Sequence, residues 1–284
     1  MTVQFVKMIC EGMKTMTNKK TPSNDKISIV SRKFVIRTVI TIAVVILLYI
    51  ASLFATDADP ANLIRGFAIL WDMIFTDFLP PDWSYFSTSF EYLVETWNIA
   101  LLSTTFAAIV ALPLTFLASN NINKNPRLYR VVRNALNFLR TIPDLILAIL
   151  VVAFLGMGSV SGIIALTIFT SGILAKMLSE TTEGINQGPL DAITASGGYL
   201  LQVIHYGVMP QILPYYASYT LYVLEMNVKA SVVLGFIGAG GIGQLLNRNM
   251  SFFRYDRLMM ILIVLFVTIS IIDFVSNRLR GYLE

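Results

Sequence analysis

Hydrophobic residues in this chain fall into long runs separated by short polar stretches, without the alternation of half-buried strands or the helical period of soluble helices. The first run, Phe34 to Phe54, is 21 residues long. That exceeds the apolar core of a signal peptide, about 7 to 15 residues, and fits the roughly 20 needed to cross a bilayer as a helix. Five more runs follow: Leu93 to Ala118, Leu136 to Leu155, Gly162 to Leu178, Gln211 to Leu234 and Leu258 to Val275. Pro143 interrupts the third of the six, and Glu225 with Lys229 the fifth. The pattern predicts an all-α integral membrane protein of about six transmembrane helices. Its parts are a basic leader over residues 1–33, a first transmembrane helix over 34–54, an acidic and aromatic outer segment over 55–90, and a transmembrane domain over 91–284 with a cytoplasmic segment at 179–210.

Composition agrees. Of 284 residues, 56% are hydrophobic and 13% charged, against about 25% charged in soluble domains. Basic residues set the orientation. Most of the 21 lysines and arginines lie in the leader, between Lys124 and Arg140, at Lys176 and at the Arg278–Arg280 end, which places both termini in the cytoplasm. The outer segment carries Asp57, Asp59, Asp72, Asp77 and Asp82 among Trp71, Phe75, Phe78, Trp83 and Tyr85, which suits an interfacial helix or a loop packed on the spans. Arg248, Arg254 and Arg257 run against the rule and point to a segment that dips toward the membrane or meets a partner. The net charge of +4 is modest and gives no reason to expect nucleic acid. One cysteine, Cys10, and one histidine, His205, leave no basis for a disulfide, a metal site or a cofactor.

The segment 179–210 holds a short helix signal. Pro189 suits a first turn, Asp191 the positive end of the helix dipole, and Gly197 with Gly198 a left-handed cap. Asp191-Ala192, Ala195, Gly197 and, thirteen residues later, Pro210 resemble the EAA signature of bacterial ATP-binding-cassette (ABC) importer permeases, E-A-A, three residues, G, nine residues, I-x-L-P. Asp191 stands for the glutamate, Ile193 for the second alanine, Gly207 for the isoleucine and Met209 for the leucine. Two further blocks agree: Arg140-Thr-Ile-Pro143-Asp144-Leu looks like R-x-I-P-E-L, and Glu225-x-Asn227-x-Lys229-Ala-Ser231 with GFIGAGGIG looks like the E-x-N-x-R-A block followed by its glycine run. The combination is most similar to phosphonate-type permeases and next to methionine-type ones. The resemblance implies the type I ABC importer permease fold in a bacterial cytoplasmic membrane. It also implies a homodimer or a pair of close paralogues, two ATPase subunits beneath, and an extracytoplasmic binding protein above that delivers phosphonate, phosphite or phosphate. Pro189, Asp191, Ala192, Ala195, Gly197, Tyr199 and Pro210 would then couple to the ATPases. Arg140, Pro143 and Asp144 would mark the cytoplasmic start of the third span, with Arg140 and Asp144 as an ion-pair candidate.

Glu225 and Lys229, four apart with the acid first, have the order favoured for a helical ion pair. Two readings stay open: the pair neutralises itself and fastens the helix, or Asn227, Lys229 and Ser231 line a pathway where Lys229 attracts an anion weakly. His205 reads as an interfacial histidine or a pH-sensitive coupling residue.

Gly238, Gly240 and Gly243 spell the G-x-G-x-x-G of dinucleotide sites, but no strand precedes them and no acid follows at the required spacing of about 20 residues. With Gly241 they instead suit a broken helix at the outer mouth, passing close to the same segment of a second subunit as a gate. An intramembrane enzyme would need more histidines, or a serine and lysine on one helix face, and Lys229 with Ser231 are two apart. The chain has no phosphate-binding loop of its own, so ATP hydrolysis falls to a partner. A membrane scaffold is the remaining alternative.

Overall fold

The computed structural model describes residues 32–56 and 60–283. Nearly all of the basic leader, Cys10 included, lies outside the described residues. Every regular element among them is helical. The chain divides into two compact units, residues 1–69 and 70–284. The first contains α1 (Arg32–Ala55), apolar and exposed along its length. Helix α2 (Pro60–Met73) carries the chain across the boundary into the second unit.

In the second unit a π-helical turn (Ile74–Phe78) and a 3-10 turn (Trp83–Tyr85) lead into α3 (Phe86–Ala118), 33 residues long. Then come α4 (Pro126–Thr141), α5 (Asp144–Leu155), α6 (Ser159–Glu183), the eight-residue α7 (Gly188–Ala195), α8 (Met209–Gly235), α9 (Gly241–Ser251) and α10 (Tyr255–Leu283). Helix α1, the stretch Trp83–Ala118, α6 and α10 are long and apolar enough to cross a membrane. Helices α4 and α5, bent by 93°, make a fifth if taken as one broken span. Helix α8, 27 residues or about 40 Å, has the length but is less apolar because Glu225 and Lys229 lie on it. The chain is thus a multi-pass membrane protein.

Helices α3 and α6 form the centre. Ala100, Ala107, Ala108, Ala111 and Ala118 of α3 are buried, as are Gly162, Ala165, Gly172 and Ala175 of α6. Without a hydrophobic force between helices in lipid, close backbone approach supplies the attraction, and small side chains permit it. Hydroxyls on these faces fold back on their own helix: Ser103 donates to Ile99 O (2.7 Å), Thr104 to Ala100 O (2.7 Å) and Thr115 to Ala111 O (2.8 Å).

The run Leu136 to Leu155, expected as a span interrupted at Pro143, is divided at that proline between α4 and α5. Helix α4 begins at an Asn125 cap, whose Oδ1 accepts from the amides of Arg127 and Leu128, with Pro126 in the first turn. It ends because Pro143 drives Ile142 into extended backbone, φ −79° and ψ 123°. No Arg140–Asp144 ion pair forms across the break. Asp144 Oδ1 accepts from the Leu145 amide, a helix-start interaction beside Pro143. Lys176, expected as a flanking charge, is buried inside α6 and pairs with Glu180 at 3.1 Å.

Residues 78–85 are packed on the start of α10. Asp82 ion-pairs with Arg257 (3.3 Å), its amide donates to Asp256 O (3.2 Å), Arg257 lies over the Tyr85 ring (4.8 Å), and Phe78 packs on Tyr255 (5.2 Å between centroids). The Ser84 hydroxyl and amide, with Arg257 behind them, hold the Asp82 carboxyl below its ordinary pKa. That packing accounts for Arg257. Arg248 and Arg254 remain exposed.

Candidate coupling and pathway sites

Helix α7 occupies the turn between α6 and α8. Asp191 sits in its first turn with Pro189 beside it, Gly197 ends it at φ +84°, and the Gly198 amide donates back to Ile193 O (2.9 Å). Leu190 alone is buried, in a cluster with Ile122, Leu178, Val208 and Ile212 that fixes α7 to the ends of α6 and α8. A Cβ at Gly207 would come within 3.2 Å of Leu190 Cδ1 and 3.3 Å of Ile193 Cδ1, so this departure from the isoleucine of the signature makes the seat for the helix. Asp191, Ala192 and Ala195 face outward, with Tyr199 and Leu201 exposed just beyond. Pro210 opens α8, and a π-helical turn over Val203–Val208 precedes it. The wider turn falls where Pro210 has no N–H to give. His205 stands in that turn against the edge of Tyr206.

A second tie joins residues 50 positions apart and was not singled out in the sequence. Arg133 reaches Glu183 at 2.6 Å, and Glu183 also accepts from the Asn120 amide (3.0 Å). The clamp fixes α4 and the C-terminal end of α3 to the end of α6 that leads into α7. The regular spacing of Arg127, Arg130 and Arg133 behind the Asn125-Pro126 cap was the one signal available.

Glu225, Asn227, Lys229 and Ser231 of α8 separate into two groups. Asn227, 2% exposed, donates to Thr104 Oγ1 (2.8 Å) on α3 and accepts from Thr170 Oγ1 (2.8 Å) on α6. Ser231, equally buried, donates to Asn227 O. Both lie in the interhelical interior, not on an open surface, and Asn227 fastens three helices with every polar atom of its amide directed at a neighbour or its own helix. Glu225 and Lys229 face α10 instead. Lys229 is 2.9 Å from Glu225 and 3.3 Å from Asp273, and Arg280 is 2.8 Å from the other oxygen of Glu225. The expected pair is therefore half of a neutral four-residue network. Its lysine keeps an open side, the side chain being 46% exposed.

The glycine run makes its close approaches within this chain. Gly240 (φ +82°) and Gly241 (φ +71°) turn the backbone between α8 and α9. A Cβ at Gly240 would meet Glu95 Oε1 at 2.7 Å, and one at Gly241 would meet Thr96 Oγ1 at 2.5 Å. Gly243 packs on the backbone of Val232 and Gly235, and Gly238 on Met157. The Ile242 amide donates to Thr96 Oγ1 (2.7 Å), and Ser159 donates to Glu95 Oε1 (2.5 Å). The turn is thus locked onto α3 and the start of α6. Glu95, a half-buried acid not singled out in the sequence, is part of that junction.

Residues 104–284 match the family model described as binding-protein-dependent transport system inner membrane component. The chain belongs to that family. As a binding-protein-dependent permease it is a membrane transport subunit of the ABC importer class, not an enzyme. It is 35% identical over 240 residues to the putative phosphite transport system permease protein HtxC of Stutzerimonas stutzeri, covering 84% of this chain and 85% of that one. It is 43% identical over 119 residues to the putative cryptic phosphonate transport system permease protein PhnE2 of Escherichia coli K12, covering 42% of this chain and 98% of the relative. Among solved structures, a chain of the MetNI methionine ABC transporter in an inward-facing conformation superposes with a TM-score of 0.65 at 23% identity, over 72% of this chain and 99% of that one. That likeness establishes the shared permease fold.

Proposed function

We propose that this permease imports a small phosphorus oxyanion, phosphite, a phosphonate or phosphate, across a bacterial cytoplasmic membrane. Two copies, or one copy and a close paralogue, form the pathway; an extracytoplasmic binding protein delivers the anion and two ATPase subunits drive the cycle. Six spans with both termini in the cytoplasm put α7 on the ATPase side, in accord with the basic residues between Lys124 and Arg140 at that end. The observation that carries the coupling role is α7 itself: eight residues, one buried side chain, and an outward face of Asp191, Ala192 and Ala195. A short helix seated on the ends of α6 and α8 transmits a rigid-body displacement that a flexible loop would dissipate. Pro189, Gly197, Tyr199 and Pro210 shape its ends.

With Asn227 and Ser231 enclosed, Lys229 is the residue of the four left to meet an anion. Its two carboxylate partners keep that contact weak, as a conduit needs, because a ligand held equally in inward and outward states shifts neither. Gly238, Gly240, Gly241 and Gly243 would form the gate as a glycine turn, a reading supported by the seats of Gly240 and Gly241 on Glu95, Ser159 and Thr96 and of Gly238 on Met157.

The test of coupling is insertion of two glycines after Ala192 in the full importer. Loss of substrate-stimulated ATP hydrolysis and uptake with the chain still in the membrane is expected. Wild-type uptake would remove α7 from the coupling role.

A further inference from the structure

Helix α4 has three faces. One packs on α6 through Val132, Leu136, Leu139 and the Arg133–Glu183 clamp. The next carries Leu128, Val131, Ala135 and Phe138, at the spacing of one helical stripe, and all four are exposed, Val131 at 66% and Phe138 at 68%. Arg127 stands at the N-terminal end of that stripe, four residues before Val131, and Arg130 lies on the third face; both are exposed and without an ion-pair partner among the described residues, and the Arg130 Nε donates to Pro126 O. Exposed Lys124 lies just before the helix. An apolar stripe flanked by unpaired arginines is the pattern of a helix lying in a membrane interface, with the stripe among acyl chains and the cations at the headgroups. The turn of 93° from α5, which a single straight span would not make, takes α4 out of the line of that helix.

We propose that α4 is a docking surface for anionic phospholipid, held at the same end of the bundle as α7 by the clamp to Glu183. Charge complementarity favours lipid over a second copy of the chain: a protein covering the stripe would have to bury or pair Arg127 and Arg130, whereas an anionic headgroup layer neutralises both while the acyl region takes Val131 and Phe138. Through Glu183 the lipid would steady the end of α6 from which α7 departs.

The test is native mass spectrometry of the full-length chain in detergent, titrated with phosphatidylglycerol or phosphatidylcholine, with inorganic phosphate as competitor. Wild type should prefer phosphatidylglycerol. Arg127→Gln should weaken that binding about fivefold and the Arg127→Gln/Arg130→Gln double variant about thirtyfold, with phosphatidylcholine binding unchanged. Arg127→Lys/Arg130→Lys should keep the preference, which a folding defect would not allow, and millimolar phosphate should not displace the lipid. Equal phosphatidylglycerol affinity in wild type and the double glutamine variant would overturn the proposal. So would displacement by phosphate, or disulfide crosslinking between subunits through Phe138→Cys in native membranes.

Discussion

Replacing Asn227 by alanine separates fastening from pathway lining. The change removes one bond donated to Thr104 and one accepted from Thr170, at a site 2% exposed. Interhelical hydrogen bonds in a bilayer average about 0.6 kcal/mol and reach about 1.7. Thr104 keeps its own bond to Ala100 O and loses only an incoming donor, whereas the Thr170 hydroxyl is left to find a new acceptor. The two bonds together therefore lie near 1 to 3 kcal/mol. The assay is reversible unfolding of the full chain in mixed detergent, followed by tryptophan fluorescence, for wild type, Asn227→Ala, Thr104→Ala and the double variant. The double variant should be less destabilised than the two single changes combined, since the same bond is lost in both. In the assembled importer the uptake KM should stay near wild type. Full additivity with unfolding unchanged, together with a severalfold shift in KM, would refute the fastening role and return Asn227 to the pathway.

Three further outcomes follow from the same geometry. Gly243→Ala sets a methyl against the carbonyl of Val232 and the Cα of Gly235, so it should lower thermal stability by at least the 1 to 3 kcal/mol typical of overpacking, about as much as any single change in the turn; unaltered melting would show that the turn is not locked on α8. Glu225→Gln leaves Arg280 without its carboxylate and Lys229 with Asp273 alone, and should destabilise the α8–α10 contact more than Lys229→Met does, measured by the same unfolding; the reverse order would mean that Lys229 carries the network. Asp82 has its folded pKa depressed, so its contribution is present above the unfolded value of about 4 and is lost as pH falls through the lower folded value; acidification should loosen residues 78–85 from α10 in wild type, read by Trp83 emission, and Asp82→Asn should abolish that dependence.

Helix α7 was legible because its signals are local: a proline in the first turn, an acid at the dipole and a glycine after the end, all acting within one short segment. The all-helical, multi-span character was legible because lipid leaves long apolar runs in the sequence. The break of the third run at Pro143 was legible because proline disfavours helical backbone in the residue before it; the amphipathic character of the part before the break was not. Leu136 and Leu139 belong to the protein-facing side of an amphipathic helix and Phe138 to its exposed stripe, and a run of hydrophobic residues does not distinguish these from a span; the Asn125-Pro126 cap that starts the helix lies outside the run. For the glycine run, the need for close approach could be read, but the neighbour could not. Glu95, Thr96 and Met157 are brought to it by tertiary packing, as Asp273 and Arg280 are brought to Glu225 and Lys229 across α10.

The most direct measurement is uptake into proteoliposomes that contain this permease with its ATPase and binding-protein partners, comparing labelled phosphite, methylphosphonate, phosphate and methionine under ATP. ATP-dependent accumulation of one or more of the phosphorus oxyanions, abolished by the insertion in α7, is the expected result. Accumulation of methionine alone, or uptake of a phosphorus oxyanion that survives disruption of α7, would contradict it.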